Sequence, residues 1–142
     1  MRSIESKIKR VIVGKVEPDE DLIDSVINMI NIHKIGSGLI NCIGALNKFT
    51  LGYFDFPSKE YLRKEFDMFV ELVSCMGNIS FKEGEPIVHL HATLGTKDYT
   101  ILGGHLFQPS IISITGEVYI YEIDKKLSRA EDSQLGLTLL NI

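Results

Sequence analysis

The sequence predicts an α+β domain in which a largely antiparallel sheet packs with one main helix. Two observations carry this reading. One stretch alone has clear one-faced helical spacing, and most of the chain beyond it is a run of β-branched and aromatic segments punctuated by turn residues. That order fits an antiparallel α+β fold and not a doubly wound parallel one. A length of 142 residues matches one domain, so residues 1–142 are read as a single unit.

Lys7 to Val16 is rich in Ile and Val and short enough for a strand. Glu17-Pro18-Asp19-Glu20-Asp21 then supplies the acids and the proline that suit a first helical turn. Leu22, Ile23, Val26, Ile27, Met29 and Ile30 repeat on one helical face, and His33, Lys34 and the stop Gly36 end the helix. His33 is read as a partial positive charge near the helix C-terminus. Gly38–Leu46 and Phe49–Asp55 read as two antiparallel strands joined at Asn47-Lys48. In Tyr61–Val73 the positions Leu62, Phe66, Phe69, Val70 and Val73 favour helix in the first half, whereas Val70–Met76 alternates as a strand does. Pro86–Leu94, Tyr99–Phe107 and Ser110–Ile123 are strands, the last central or at a subunit contact.

Composition narrows the function classes. Hydrophobic residues at 44% and charged residues at 24% exclude a disordered or collagen-like chain. The net charge of −4 has the wrong sign for gripping phosphate backbones over a whole surface. Residues 1–15 alone carry +4 and the remainder −8, so Lys7, Lys9 and Arg10 form the sole candidate nucleic-acid contact. The alternative role for these lysines is protection of a strand edge. Cys42 and Cys75 lie in apolar stretches without C-x-x-C spacing and read as buried, reduced thiols. The polar N-terminus and the absence of any long apolar run predict a soluble cytoplasmic protein with no membrane partner.

The strongest chemical signal is histidine. His89 and His91 stand two apart in a strand and therefore share a face, while Val88, Leu90, Ala92 and Leu94 point the other way into a core. An odd-numbered Gly95–Tyr99 loop places His105 opposite His89 on that same face. Three imidazoles with an open fourth position suit a divalent metal, zinc first, with water or a carboxylate completing the shell. Glu117 on the next strand is the candidate extra or supporting ligand, and metal-activated water would permit hydrolysis. The competing account is a metal-free polar cluster at a subunit interface. Gly103-Gly104 allows a bulge or a close backbone approach. The sequence has no nucleophile elbow, no P-loop and no full dinucleotide fingerprint, so no catalytic residues are assigned and an enzymatic role has no direct support.

Glu20-Asp-Leu22 at the helix start, Gly38-Leu-Ile-Asn-Cys-Ile-Gly-Ala-Leu46, Leu51-Gly-Tyr-Phe54, Glu71-Leu-Val-Ser-Cys-Met-Gly-Asn-Ile79, Pro86-Ile-Val-His-Leu-His-Ala-Thr-Leu94, Gly103-Gly-His-Leu106 and Glu117-Val118 together resemble the PPC ("plants and prokaryotes conserved") domain family in its stand-alone archaeal or bacterial form. The resemblance spans nearly the whole chain. It implies a PPC-like α+β subunit assembled as a homotrimer, with Met68–Ile79 as strand, and it carries metal ligation onto His89, His91 and His105 one by one. Plant members join this domain to a minor-groove arm of Arg-Gly-Arg type, which this sequence lacks. Three functions are implied as expectations: a trimeric, zinc-binding assembly or ligand-binding module with a protein partner; a DNA-binding or transcription-regulatory protein; and a metal-dependent hydrolase of a small molecule.

Overall fold

The computed structural model describes all 142 residues as seven strands and one helix: β1 (Ile8–Val16), α1 (Leu22–His33), β2 (Gly38–Asp55), β3 (Glu60–Lys82), β4 (Glu85–Gly95), β5 (Ile101–Ile123), β6 (Ser128–Asp132) and β7 (Leu137–Asn141). The sheet is antiparallel except at one parallel bridge, Phe81 to Ser128. β5 pairs with β1, β2 and β4, β2 pairs with β3, and β3 pairs with β4, so β2, β3, β4 and β5 close into a ring with β1 as an edge. The central position expected for the last long strand is the one β5 occupies.

α1 forms where its apolar face recurs every three to four residues, and it buries Leu22, Val26 and Ile30 in one apolar core with Ile12, Val16, Ile40, Val118 and Ile120 of the sheet. Full burial of each such side chain contributes roughly 1.5–3 kcal/mol. Its N-cap is Asp21, which accepts from the amides of Ile23 (2.9 Å) and Asp24 (3.2 Å). The same carboxylate accepts from the Ser110 amide (2.7 Å) and hydroxyl (3.0 Å), fastening the helix start to β5. The helix stops at Lys34, not at Gly36: Lys34 is left-handed (φ 52°), and the Ile35 amide reaches back to the Ile30 carbonyl. Gly36 instead gives its amide to Glu122 Oε1 (3.1 Å).

Three sequence expectations for the strands are corrected. Asn47-Lys48 is no hairpin turn, because β2 runs straight through it with a bulge between Leu46 and Lys48. Buried Leu46 and Phe49 on either side keep the strand in the core through that extra residue. The helical spacing before Val73 is strand as well, since Glu60–Lys82 is continuous and pairs with β2 from Glu60↔Asp55 onward. Leu62, Phe69 and Val73 misled the periodicity because they are more than 45% exposed: they project outward instead of marking a core stripe. The two last expected strands are one strand, β5, bent where Gln108-Pro109 stands out of the ladder between Phe107 and Ser110.

Cys42 and Cys75 prove to be register partners across β2 and β3. Both are buried and free, and burial pushes each thiol up to about 12. No helix is long and apolar enough to cross a membrane.

Candidate metal centre

β4 sends Leu90, Ala92 and Leu94 into the core and leaves His89 and His91 on the outer face, the alternation its sequence requires. His105, on β5, joins them there. Its register partner is His91, not His89, because the connecting loop is Thr96–Thr100 and the strands meet at Gly95↔Ile101. The loop closes through the Thr96 amide on the Thr100 carbonyl (3.0 Å) and a contact of 2.7 Å between the two threonine hydroxyls. A two-residue slip keeps the face and changes only the partner. β2 flanks His105 on the other side, where Gly52 is its partner. A Cβ on Gly104 would stand 2.8 Å from the Gly52 carbonyl oxygen, so glycine there lets β2 and β5 close the ring.

The potential ligand atoms of the three histidines all lie within 4.8 Å of one another. His89 Nε2 and His91 Nε2 are 3.2 Å apart. Two imidazole nitrogens bound at 2.0–2.1 Å to a tetrahedral ion stand about 3.4 Å apart, so this pair already has nearly the bite of a chelate. His105 Nδ1 is buried with no hydrogen-bond partner. Burial, with His89, His91, Arg63 and Arg129 as cationic neighbours, holds the His105 ring down to about 4. Burial also lowers His89, assisted by Arg129 and His91. Both rings are therefore neutral at pH 7, the form that offers a lone pair to a metal. The residues fit a divalent ion held by His89, His91 and His105. Such an ion, when bound, supplies Lewis acidity and lowers the pKa of a coordinated water.

The surroundings are aromatic and cationic. The His105 ring lies 4.3 Å from Phe107 and 5.1 Å from Tyr61, centroid to centroid, and the Arg63 guanidinium covers Phe107 at 3.9 Å. Arg129, from β6, gives Nη2 to His89 Nδ1 (3.1 Å) and to Asn78 Oδ1 (3.0 Å). A cavity of about 220 Å³ opens between them, lined by His89, His105, Arg129 and Tyr61 with Ile87, Val88, Leu137 and Leu139. Sequence reading missed Arg129, although its hairpin has a legible turn. Asp132 Oδ1 accepts from the Gln134 and Leu135 amides, and Gly136 has φ +67°.

The other sequence-predicted residues lie elsewhere. Glu117 sits opposite Lys15 and Ile43, in a separate groove with Glu71, Val73 and Ile114, and is outside the histidine group. Lys9 and Arg10 are engaged by the buried carboxylate of Glu122 at 3.4 Å and 2.5 Å, and Arg10 also donates to the His33 carbonyl (2.6 Å). Burial raises the Glu122 carboxyl, but Arg10, the Gly36 amide and Lys9 together hold it below its usual range. The Lys7 amide donates to Asp124 Oδ1 (3.0 Å), and its carbonyl accepts from the Asp124 amide (3.0 Å). The basic segment is thus an edge strand anchored by a buried acid.

The chain is similar in structure to a metal-containing protein from Archaeoglobus fulgidus, at 30% identity and TM-score 0.91 with all of both chains covered. A PPC protein from Pyrococcus horikoshii aligns at 31% identity and TM-score 0.90, over 100% of this chain and 98% of that one. A candidate DNA-binding protein from Bacteroides thetaiotaomicron aligns at 30% identity and TM-score 0.89 over 96% of each chain. No curated protein matches in sequence. The family model for the Plants and Prokaryotes Conserved domain matches residues 3–124, which include the whole histidine cluster. With the ring of strands, the single helix and the His-Leu-His and Gly-Gly-His strands in place, the chain belongs to the Plants and Prokaryotes Conserved domain family.

Proposed function

We propose that the protein is a homotrimeric module that binds a divalent metal, zinc, through His89, His91 and His105 and acts by assembly or ligand binding. The observation that carries the metal is the convergence of three histidine ligand atoms within 4.8 Å beside a cavity. The similarity to the metal-containing Archaeoglobus protein supports it. Support for assembly is the outer face of the sheet, where Val13, Ile43, Met76 and Ile114 are each at least half exposed and give an apolar surface of the kind that partners cover. Metal analysis of untagged protein tests the site. Zinc should be present in wild type at near one ion per chain and lost from both His89→Ala and His105→Ala, and equal content in all three sinks it. In sedimentation the particle should have three times the chain mass.

The name of the Bacteroides relative favours a second reading, DNA binding by Lys7, Lys9 and Arg10 repeated around the trimer. Here the pairing of Lys9 and Arg10 with Glu122 leaves Lys7 the unengaged member of the set. Binding that weakens steeply as salt rises would support this reading, and absent binding at low salt removes it. Hydrolysis at the histidine cluster is the third reading, and an open coordination position is what favours it.

A further inference from the structure

Arg129 is a half-buried cation without an anion. Its Nε donates to Ser80 Oγ (2.7 Å), Nη1 to the Thr138 carbonyl (2.8 Å), and Nη2 to Asn78 Oδ1 and His89 Nδ1. Every one of these acceptors is neutral. The ion pairs of the chain engage Lys9, Arg10, Lys15 and Lys48 and leave Arg129 aside.

The contact to His89 constrains the histidine. With Nδ1 accepting from a guanidinium, which can only donate, neutral His89 must carry its hydrogen on Nε2, directed at His91 Nε2 3.2 Å away. Ligation of a metal through His89 Nε2 requires the other tautomer, with the hydrogen on Nδ1. His89 Nδ1–H and Arg129 Nη2–H then face each other across 3.1 Å with no acceptor between them. Two half-buried donors opposed in this way lack an acceptor, and an oxygen in the cavity of about 220 Å³ that opens beside both would supply one.

Resting on the metal reading, we propose that the histidine cluster takes up its metal together with a small carboxylate, whose oxygens accept from Arg129 and from the Nδ1–H of metal-bound His89. The unpaired Arg129 guanidinium and the divalent ion together favour an anion, and the two opposed donors match the oxygens of a carboxylate. Ile87, Val88, Leu137 and Leu139 match a short branched apolar body on the same molecule. Arg129, Leu137 and Leu139 come from the β6–β7 hairpin, beyond the residues that the family model matches, so this chain's C-terminal segment sets the choice of anion.

Zinc titration of metal-free, untagged protein, followed by calorimetry, tests this with isovalerate as the probe. Its uncharged analogue isovaleramide and inorganic sulfate are the controls. Isovalerate should tighten zinc binding about tenfold, within the usual span of coupling between two ligands, and zinc should tighten isovalerate binding by the same factor. Isovaleramide and sulfate should do much less. In Arg129→Gln, whose amide oxygen can accept from His89 Nδ1–H, zinc should bind at least as tightly without carboxylate and the enhancement should vanish. Equal zinc affinity with and without isovalerate overturns the proposal, and so does an equal effect of isovaleramide or sulfate, or an enhancement that survives Arg129→Gln. The wild-type arms decide the matter even if the variant folds poorly. Zinc affinity unchanged in His89→Ala is a different result and overturns the metal reading itself.

Discussion

Glu122 and Arg129 are both charged side chains set against the sheet, and their surroundings are opposite. Glu122 is 1% exposed and fully answered, by Arg10, by Lys9 and by the Gly36 amide, so that it ties β1 and the end of α1 to β5. Arg129 is tied only to neutral acceptors and to one histidine, beside an open cavity. A charge that the fold compensates is architecture, whereas one that it leaves uncompensated at a cavity is available to a ligand. Lys9 and Arg10, among the basic residues most visible in the sequence, belong to the first kind, and Arg129 at the site belongs to the second.

The largest effect that sharpens this contrast is Glu122→Leu. It removes the buried carboxylate that receives the Gly36 amide and the half-exposed side chains of Lys9 and Arg10, and urea unfolding should show a loss of about 3 kcal/mol, most of it from the stranded amide. A loss below about 1 kcal/mol would mean that solvent already does the work of Arg10 and Lys9, and the contrast would collapse.

Acid should separate the two regions next. In the metal-free protein the unfolded chain protonates His105 near its ordinary 6.5, but the folded chain does so only at about 4. The unfolded state binds more protons in that window, so the stability fully present above 6.5 falls as pH drops toward 4. The fall should be roughly 2 kcal/mol after allowance for partial solvent access. Glu122 acts lower: its carboxyl is held below 4.5, so its contribution persists above that value and is lost only as pH falls further. Urea midpoints across pH should therefore show two stages, and His105→Phe should shrink the first to the part that His89 contributes while leaving the second unchanged. A single stage in both proteins would contradict the assignment.

The smallest effect is Arg129→Met in metal-free protein. Ser80 and Asn78 lose a donor but no buried charge is orphaned, so a cost of about 1 kcal/mol is expected in the same urea assay. A loss as large as that of Glu122→Leu would show Arg129 to be architecture too.

The histidine face was legible in the sequence because strand parity alone sets it: His89, His91 and His105 share a side whatever the loop does. Which histidine faces which was not legible, since that depends on how Thr96 and Thr100 close the turn. Leu62 and Phe69 read as helix because periodicity assumes that apolar residues face inward, and here they face outward. The run through Asn47 read as a turn because no local rule announces a bulge inside a strand held on both sides. Arg129 left no trace as a site residue, because its contact with His89 spans 40 positions and matches no motif.

The close approach at Gly104 has a further consequence for the bite of the three histidines. What opposes a side chain there is the main-chain carbonyl of Gly52, which cannot rotate aside as a neighbouring side chain can. A single methyl group at 104 must therefore push β2 and β5 apart, and His105 travels with β5. The aperture offered to an ion is gauged by backbone against backbone, so its size can be retuned from behind the site without changing any group that an ion would touch.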